Sequence, residues 1–104
     1  MAKLSLQNGE QILGEAQASH VKKMLGIPQA NPGKMYVTNQ RVVFEPTQGR
    51  ASSAFEYSLG DMESFSVGTL SAITLQAKGE SHKITGMFNK KLIAALTEAG
   101  VRQE

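Results

Sequence analysis

Short runs of β-forming residues, broken at close intervals by turn residues, are the feature that most limits what this chain can fold into. The clearest pair, residues 34–38 and 41–45, is rich in β-branched and aromatic residues. Asn39 and Gln40 separate the two runs, and Asn tolerates the left-handed backbone of a tight hairpin. Closely spaced runs of this kind favour an antiparallel sheet or barrel over strands that alternate with helices.

The rest of the chain up to residue 85 follows the same pattern. Apolar residues at 55, 57 and 59 alternate with polar ones, which is the period of a half-buried strand. Clusters of Gly, Pro, Asn, Asp and Ser predict turns, which are placed at 29–33, 46–53, 60–61, 68–69 and 78–80. With further strands over 11–25, 62–67, 70–77 and 81–85, the predicted count is about seven.

The C-terminal stretch changes to a helical period. Four apolar residues follow one another at spacings of four, four and three: Phe88, Leu92, Leu96 and Ala99. Asn89 is the predicted N-cap and Gly100 the predicted left-handed residue at the end, so we expect a helix over about 90–99. Because a lone three-turn helix is marginal in water, we expect it to cap the open end of a strongly bent barrel.

Composition limits the class of protein. A chain of 104 residues has room for one domain, expected over 1–104, and a net charge of +2 is too small for a dedicated nucleic-acid binder. The absence of cysteine excludes disulfides, thiolate zinc sites and a thiol nucleophile. No apolar run has the length of a signal peptide or a membrane span, so we expect a cytoplasmic protein, peripheral at a membrane where it binds one.

Three segments together resemble a known family. They are residues 9–13 (Gly-Glu-Gln-Ile-Leu), residues 33–44 and residues 55–62. The strongest is 33–44, where Gly, an aromatic, an aliphatic, Thr, Asn, a basic residue, aliphatics and Phe follow one another as in the GRAM domain, a member of the pleckstrin-homology-like superfold. The resemblance spans nearly the whole chain. It implies a mainly β fold, a PH-like barrel of seven strands in two near-orthogonal sheets with one C-terminal capping helix. It also implies a non-catalytic module that binds membrane lipids, often phosphoinositides, or a protein partner.

One group of basic and apolar residues falls around the first predicted turn of the barrel and the hairpin that follows it. Its members are Lys22, Lys23, Met24, Leu25, Ile27, Lys34 and Arg41. Such a basic, partly apolar loop edge suits an anionic membrane, since apolar side chains enter the interfacial zone and each cation contributes about 1 kcal/mol near charged headgroups. The alternative is that the apolar residues belong to the core and the lysines are solvated.

Lys90 and Lys91 fall in the first turn of the predicted helix, where the helix dipole disfavours cations. Free helix N–H groups beside two ammonium groups suit a phosphate or a partner's carboxylate. The alternative is an exposed pair that solvent tolerates.

No residue pattern predicts catalysis, a metal or a cofactor. His20 and His82 lie 62 positions apart with no metal-ligand spacing, and no motif places a nucleophile beside a base. The preferred hypothesis is therefore a non-enzymatic module that binds an anionic membrane surface or a protein partner, and not nucleic acid. One alternative is a structural homo-oligomer assembled through exposed strand edges. Another is a small hydrolase or isomerase.

Overall fold

The computed structural model of the chain describes residues 5–24, 26–47 and 53–104. Within these residues a mainly β fold is followed by one C-terminal helix. The strands are β1 (Ile12–Met24), β2 (Ile27–Thr38), β3 (Arg41–Pro46), β4 (Phe55–Ser58), β5 (Met62–Val67), β6 (Ile73–Ala77) and β7 (Glu80–Thr85), and the helix is α1 (Asn89–Glu98).

All seven strands belong to one antiparallel sheet with the order β4-β3-β2-β1-β7-β6-β5. The sheet is continuous because β1 pairs with β2 on one side and with β7 on the other. This corrects the expected barrel of two near-orthogonal sheets: β4 and β5 form the two edges, and no pairing joins them in the described part of the chain. The 3₁₀ turn Leu59–Asp61 redirects the chain between them, so these consecutive strands do not form a hairpin.

The central hairpin of β2 and β3 confirms the prediction, but the turn expected at 29–33 is wrong. These residues continue β2, where Pro32 lies opposite Ser19 of β1. Gly33 is needed for close approach and not for a turn, since a Cβ there would lie 2.7 Å from Phe44 Cζ. The reversal comes earlier, where Gly26 has a φ of 81° and Met24 pairs with Ile27.

The core lies between the inner face of the sheet and the helix. Its fully buried large side chains are Met35, Val37, Val42, Phe44, Phe65, Ile73, Leu75, Ile84, Leu92 and Leu96. The helix packs tightly on β1, since a Cβ at Gly14 would lie 2.6 Å from Ala95 Cβ. The expected docking of the helical stripe is confirmed for Leu92 and Leu96, whereas Phe88 is exposed.

The ends of two elements differ from the predictions. Asn89 is not an N-cap: its amide is buried and donates hydrogen bonds to the carbonyls of Ser71 and Ile84. At the other end, Gly100 has the expected positive φ, 89°. Strand β6 begins at Ile73 and not at residue 70, because Leu70 and Ser71 have positive φ values within a 3₁₀ turn.

Candidate functional site

The β1–β2 hairpin extends beyond its neighbours in the sheet. β7 pairs with β1 only at Ser19–Val21, and β3 pairs with β2 only from Gly33 onward. Positions 22–29, which we call the hairpin arm, therefore pair only with one another within the described residues. Residues 26–30 are all exposed. The arm thus offers a surface that the rest of the sheet does not cover.

Most of the first predicted group belongs to this arm. Ile27 is 64% exposed, which is unusual for a large aliphatic side chain, and it lies at the tip. Lys22 is half-buried at the base of the arm. The side chains of Lys23 and Met24 and the whole of Leu25 lie outside the described residues.

Lys34 lies on β2 below the arm. Its ammonium is 2.9 Å from Glu15 Oε1 and 5.3 Å from the centre of the Tyr36 ring. The hydrogen bond that the ammonium donates to Glu15 raises the pKa of Lys34, so the cation is held on the sheet.

Arg41 is placed away from the arm, in a buried ion pair. Its Nε donates to Glu10 Oε2 at 2.8 Å, and one Nη donates to Glu10 Oε1 at 2.9 Å and to the Ser5 carbonyl at 2.6 Å. The Arg41 hydrogen bond, together with one from Thr38, lowers the pKa of Glu10 to about 2 against the cost of burial. The guanidinium therefore holds the segment before β1 against the central hairpin and is turned away from solvent.

Lys90 and Lys91 are exposed in the first turn of α1, as predicted. Beside them is a second apolar surface, the loop edge, which we define by Leu70, Met87 and Phe88. Leu70 is 92% exposed and Met87 is 87% exposed, and both line an open cavity of about 610 Å³ with Lys83. The loop edge was missed because the sequence pattern assigned Leu70 to a strand and Phe88 to the buried helical stripe.

The arm and the loop edge lie beyond opposite ends of β7. The antiparallel pairing of Val21 with Lys83 and of Ser19 with Thr85 places the tip of the arm past the start of β7. Met87 follows the end of the same strand. A surface that meets the tip of the arm end-on therefore leaves the loop edge free.

A partly buried cluster of polar and aromatic rings lies at the base of the arm, with His20 buried and the other rings half-buried. His20 Nδ1 is 2.6 Å from the Ser53 carbonyl, and His82 Nδ1 is 3.1 Å from His20 Nε2. Tyr57 Oη lies 2.7 Å from His82 Nε2. Phe55 packs against both imidazoles, with ring centres 5.2 Å and 4.7 Å away. No sequence signal could have found this cluster, because its members come from β1, β4 and β7 and only the folded sheet brings them together.

Two further findings concern what the described residues lack. They contain no group of three or more His, Asp or Glu side chains arranged to hold a metal ion. Within the same residues, no helix has the length and apolar character needed to cross a membrane.

Two solved structures are similar to this chain in fold. A C-terminal domain of an unknown protein from Leishmania infantum aligns with a TM-score of 0.70 at 17% identity, covering 88% of this chain and 85% of that one. The Vps36 N-terminal PH domain aligns with a TM-score of 0.58 at 18% identity, covering 90% of this chain and 84% of that one. The fold is therefore PH-like.

The family follows from the sequence comparison. The model of the GRAM domain matches residues 1–93, and the chain belongs to this family, as the sequence resemblance predicted. Comparison with curated protein sequences gives no match. GRAM and PH-like domains are interaction modules for membranes or proteins and are typically non-enzymatic.

Proposed function

We propose that residues 1–104 form one GRAM domain that binds the cytoplasmic face of an anionic membrane through the hairpin arm. The observation that carries the proposal is that the arm pairs only with itself and exposes residues 26–29. Ile27, largely exposed at its tip, is an apolar group suited to the interfacial zone. Lys22 and Lys23 precede the tip and supply positive charge for lipid headgroups.

The expected affinity is low. Each lysine near an anionic leaflet contributes about 1 kcal/mol, and a single buried aliphatic side chain contributes about 2 kcal/mol before losses of entropy. Two lysines with Ile27, Met24 and Leu25 therefore support reversible docking that salt weakens, because exposed charges are screened over about a nanometre at physiological ionic strength.

The other predicted residues take different places in the proposal. Lys34 lies next to the base of the arm, but its ammonium is paired with Glu15, so we leave it out of the arm's contact. Lys90 and Lys91 lie beside the loop edge, beyond the opposite end of β7, and we leave them out of the arm's contact as well. Arg41 is left out because its guanidinium is committed to Glu10.

Co-sedimentation with vesicles tests the proposal. We expect binding to vesicles containing phosphatidylserine at low salt, and little binding at high salt or to phosphatidylcholine alone. Lys22→Glu with Lys23→Glu, and separately Ile27→Ser, should abolish it. The matched control is Lys90→Glu with Lys91→Glu, which makes the same charge change at the loop edge and should retain binding. All variants are first checked for an unchanged thermal unfolding transition.

Three outcomes contradict the proposal. Binding that depends on neither lipid charge nor salt concentration would rule out electrostatic docking. An equal loss of vesicle binding in the arm variants and the Lys90/Lys91 variant would rule out the arm as the binding site. A chain that binds neither kind of vesicle leaves a protein partner as the function of the arm.

A second candidate is a homo-oligomer, and the free edge of β4 favours it. Within the described residues this strand pairs only with β3, so one side of its backbone can pair with another copy. Sedimentation velocity over a range of concentrations tests this. A sedimentation coefficient that stays at the monomer value at the highest concentration contradicts it.

A further inference from the structure

We propose that His20, His82 and Tyr57 form a proton-sensitive latch at the base of the hairpin arm, closed while both imidazoles are neutral and opened when they are protonated. The geometry carries this inference. Three hydrogen bonds run in series from β4 through β7 and β1 to the connection before β4.

The donor and acceptor in each of the three hydrogen bonds follow from the last acceptor, the Ser53 carbonyl. The Ser53 carbonyl can only accept, so His20 Nδ1 donates to it and His20 Nε2 is left as an acceptor. His82 Nδ1 must then donate to His20 Nε2, which leaves His82 Nε2 to accept the Tyr57 hydroxyl proton. Every ring nitrogen is satisfied by one neutral tautomer of each histidine.

Added protons disrupt this arrangement. With both imidazoles charged, His82 Nδ1–H and His20 Nε2–H would face each other across 3.1 Å, and the bond between the rings is lost. A single proton on His82 can be kept, because His82 Nε2–H can donate to the Tyr57 hydroxyl oxygen, whereas a proton on His20 would be a buried cation against Phe44 and Phe55. Burying such a charge without an ionic partner is costly.

Some charged groups around His20 and His82 favour a positive charge on the imidazoles, and others disfavour it. On β1, the Lys22 ammonium disfavours a positive charge on either ring. On β7, Glu80 favours a charge on His82 but is outweighed by burial and by His20, so the pKa of His82 lies below its ordinary value. Burial likewise lowers the pKa of His20 against the opposing effect of the Ser53 carbonyl. On β4, burial raises the pKa of Tyr57, which keeps its hydroxyl proton available to donate.

The latch connects parts of the fold that the backbone does not join directly. β4 and β7 are separated in the sheet by β3, β2 and β1, so the bond between Tyr57 and His82 links strands across the curl of the sheet. His20 also lies opposite Asn31, whose amide donates to the His20 carbonyl at 3.2 Å where the arm begins. Opening the latch therefore separates His82 from His20 and removes the side-chain link between β7 and the base of the arm, while His20 Nδ1 still donates to the Ser53 carbonyl.

NMR titration of the two imidazole C2 protons tests the latch directly. We expect both midpoints below 6.5, with the Ser53 and Tyr57 amide signals moving over the same pH range. In Tyr57→Phe, which keeps the ring and removes only the hydroxyl, the His82 midpoint should shift and the Ser53 signal should follow it. Two histidines that titrate independently at ordinary values, or a Ser53 signal that does not respond, would overturn the proposal.

Unfolding in urea as a function of pH is the second measurement. A histidine whose pKa is lower in the folded state makes the unfolded chain bind more protons, so the free energy of unfolding should be full above pH 6.5 and fall as the pH drops below it. His82→Gln should flatten this fall, and the matched control Gln76→His, which adds a histidine on β6 outside the series, should not. Equal slopes in the wild type and His82→Gln would contradict the latch.

Vesicle binding adds a readout that rests on the proposed function. If the arm docks on membranes, binding at acid pH should change in the wild type and not in His82→Gln. Coupled NMR titrations of the two histidines without any vesicle binding would support the latch and contradict the proposed membrane function. Vesicle binding with independent histidine titrations would support the membrane function and contradict the latch.

Discussion

Glu10 and Arg41 form a buried ion pair that ties the segment before β1 to the central hairpin. Replacing Glu10 by Gln removes the buried partner of Arg41 and leaves it only the exposed Glu56 carboxylate, 3.3 Å from an Nη atom, so we expect the free energy of unfolding to fall by about 2 kcal/mol. The control is Glu15→Gln, which removes the half-exposed partner of Lys34 and should cost less than about 1 kcal/mol. Urea denaturation of both variants measures the difference. Similar losses would mean that the Glu10 pair is not the stronger contributor.

The same pair predicts a loss of stability in acid. Glu10 has a folded pKa of about 2, below its ordinary 4.5, so its contribution is present above pH 4.5 and is lost as the pH falls toward 2. The midpoint of acid unfolding should therefore move to higher pH in Glu10→Gln. An unchanged acid midpoint would show that other groups control acid unfolding.

The partners of single residues are difficult to predict from the sequence. A basic residue type does not reveal its partner, so Arg41 was grouped with the surface lysines although its ion pair with Glu10 buries it. The histidine cluster depends on strands that meet only after folding. By contrast, Gly100 was predicted at the helix end because that position requires a local backbone conformation that glycine supplies.

At the scale of elements, β-rich runs and helical periodicity were enough to predict the central hairpin, β5, β7 and the helix. The failure at 29–33 has a physical reason, since Pro and Gly indicate either a turn or a strand where another backbone comes close. Only the register of β2 against β3, which brings Pro46 against Gly33, distinguishes the two. β6 begins later than predicted because Leu70 and Ser71 have positive φ values, and neither residue type indicates such a conformation in the sequence.

Gly33 provides a test at this scale. A Cβ at this position would lie 2.8 Å from Pro46 Cα and against the Glu45 carbonyl, and backbone atoms do not move aside easily. We expect Gly33→Ala to lower the free energy of unfolding by about 3 kcal/mol through this overlap. Gly60→Ala, where nothing lies within 4 Å of the added Cβ, should change it by less than about 0.5 kcal/mol. Equal effects in chemical denaturation would show that β2 and β3 can separate at this point without cost.

At the scale of the whole molecule, a sheet that does not close has two edges, and the chain treats them differently. The edge of β4 is left without a backbone partner in the described residues, whereas β5 meets the C-terminal segment. The Phe65 N–H donates to the Arg102 carbonyl at 2.8 Å, and the Glu104 N–H donates to the Phe65 carbonyl at 2.8 Å. This short parallel bridge occupies backbone groups that would otherwise be open to another copy of the chain.

Removal of residues 102–104 should therefore expose the β5 edge. We expect the shortened protein to associate with itself, with a sedimentation coefficient that rises with concentration, while the full chain associates less at the same concentrations. Ser64→Ala is the matched control: it removes the side-chain bond between Ser64 and Glu104 but keeps the backbone bridge, so it should behave like the full chain. If the shortened protein sediments as the full chain does at every concentration, the bridge does not protect this edge.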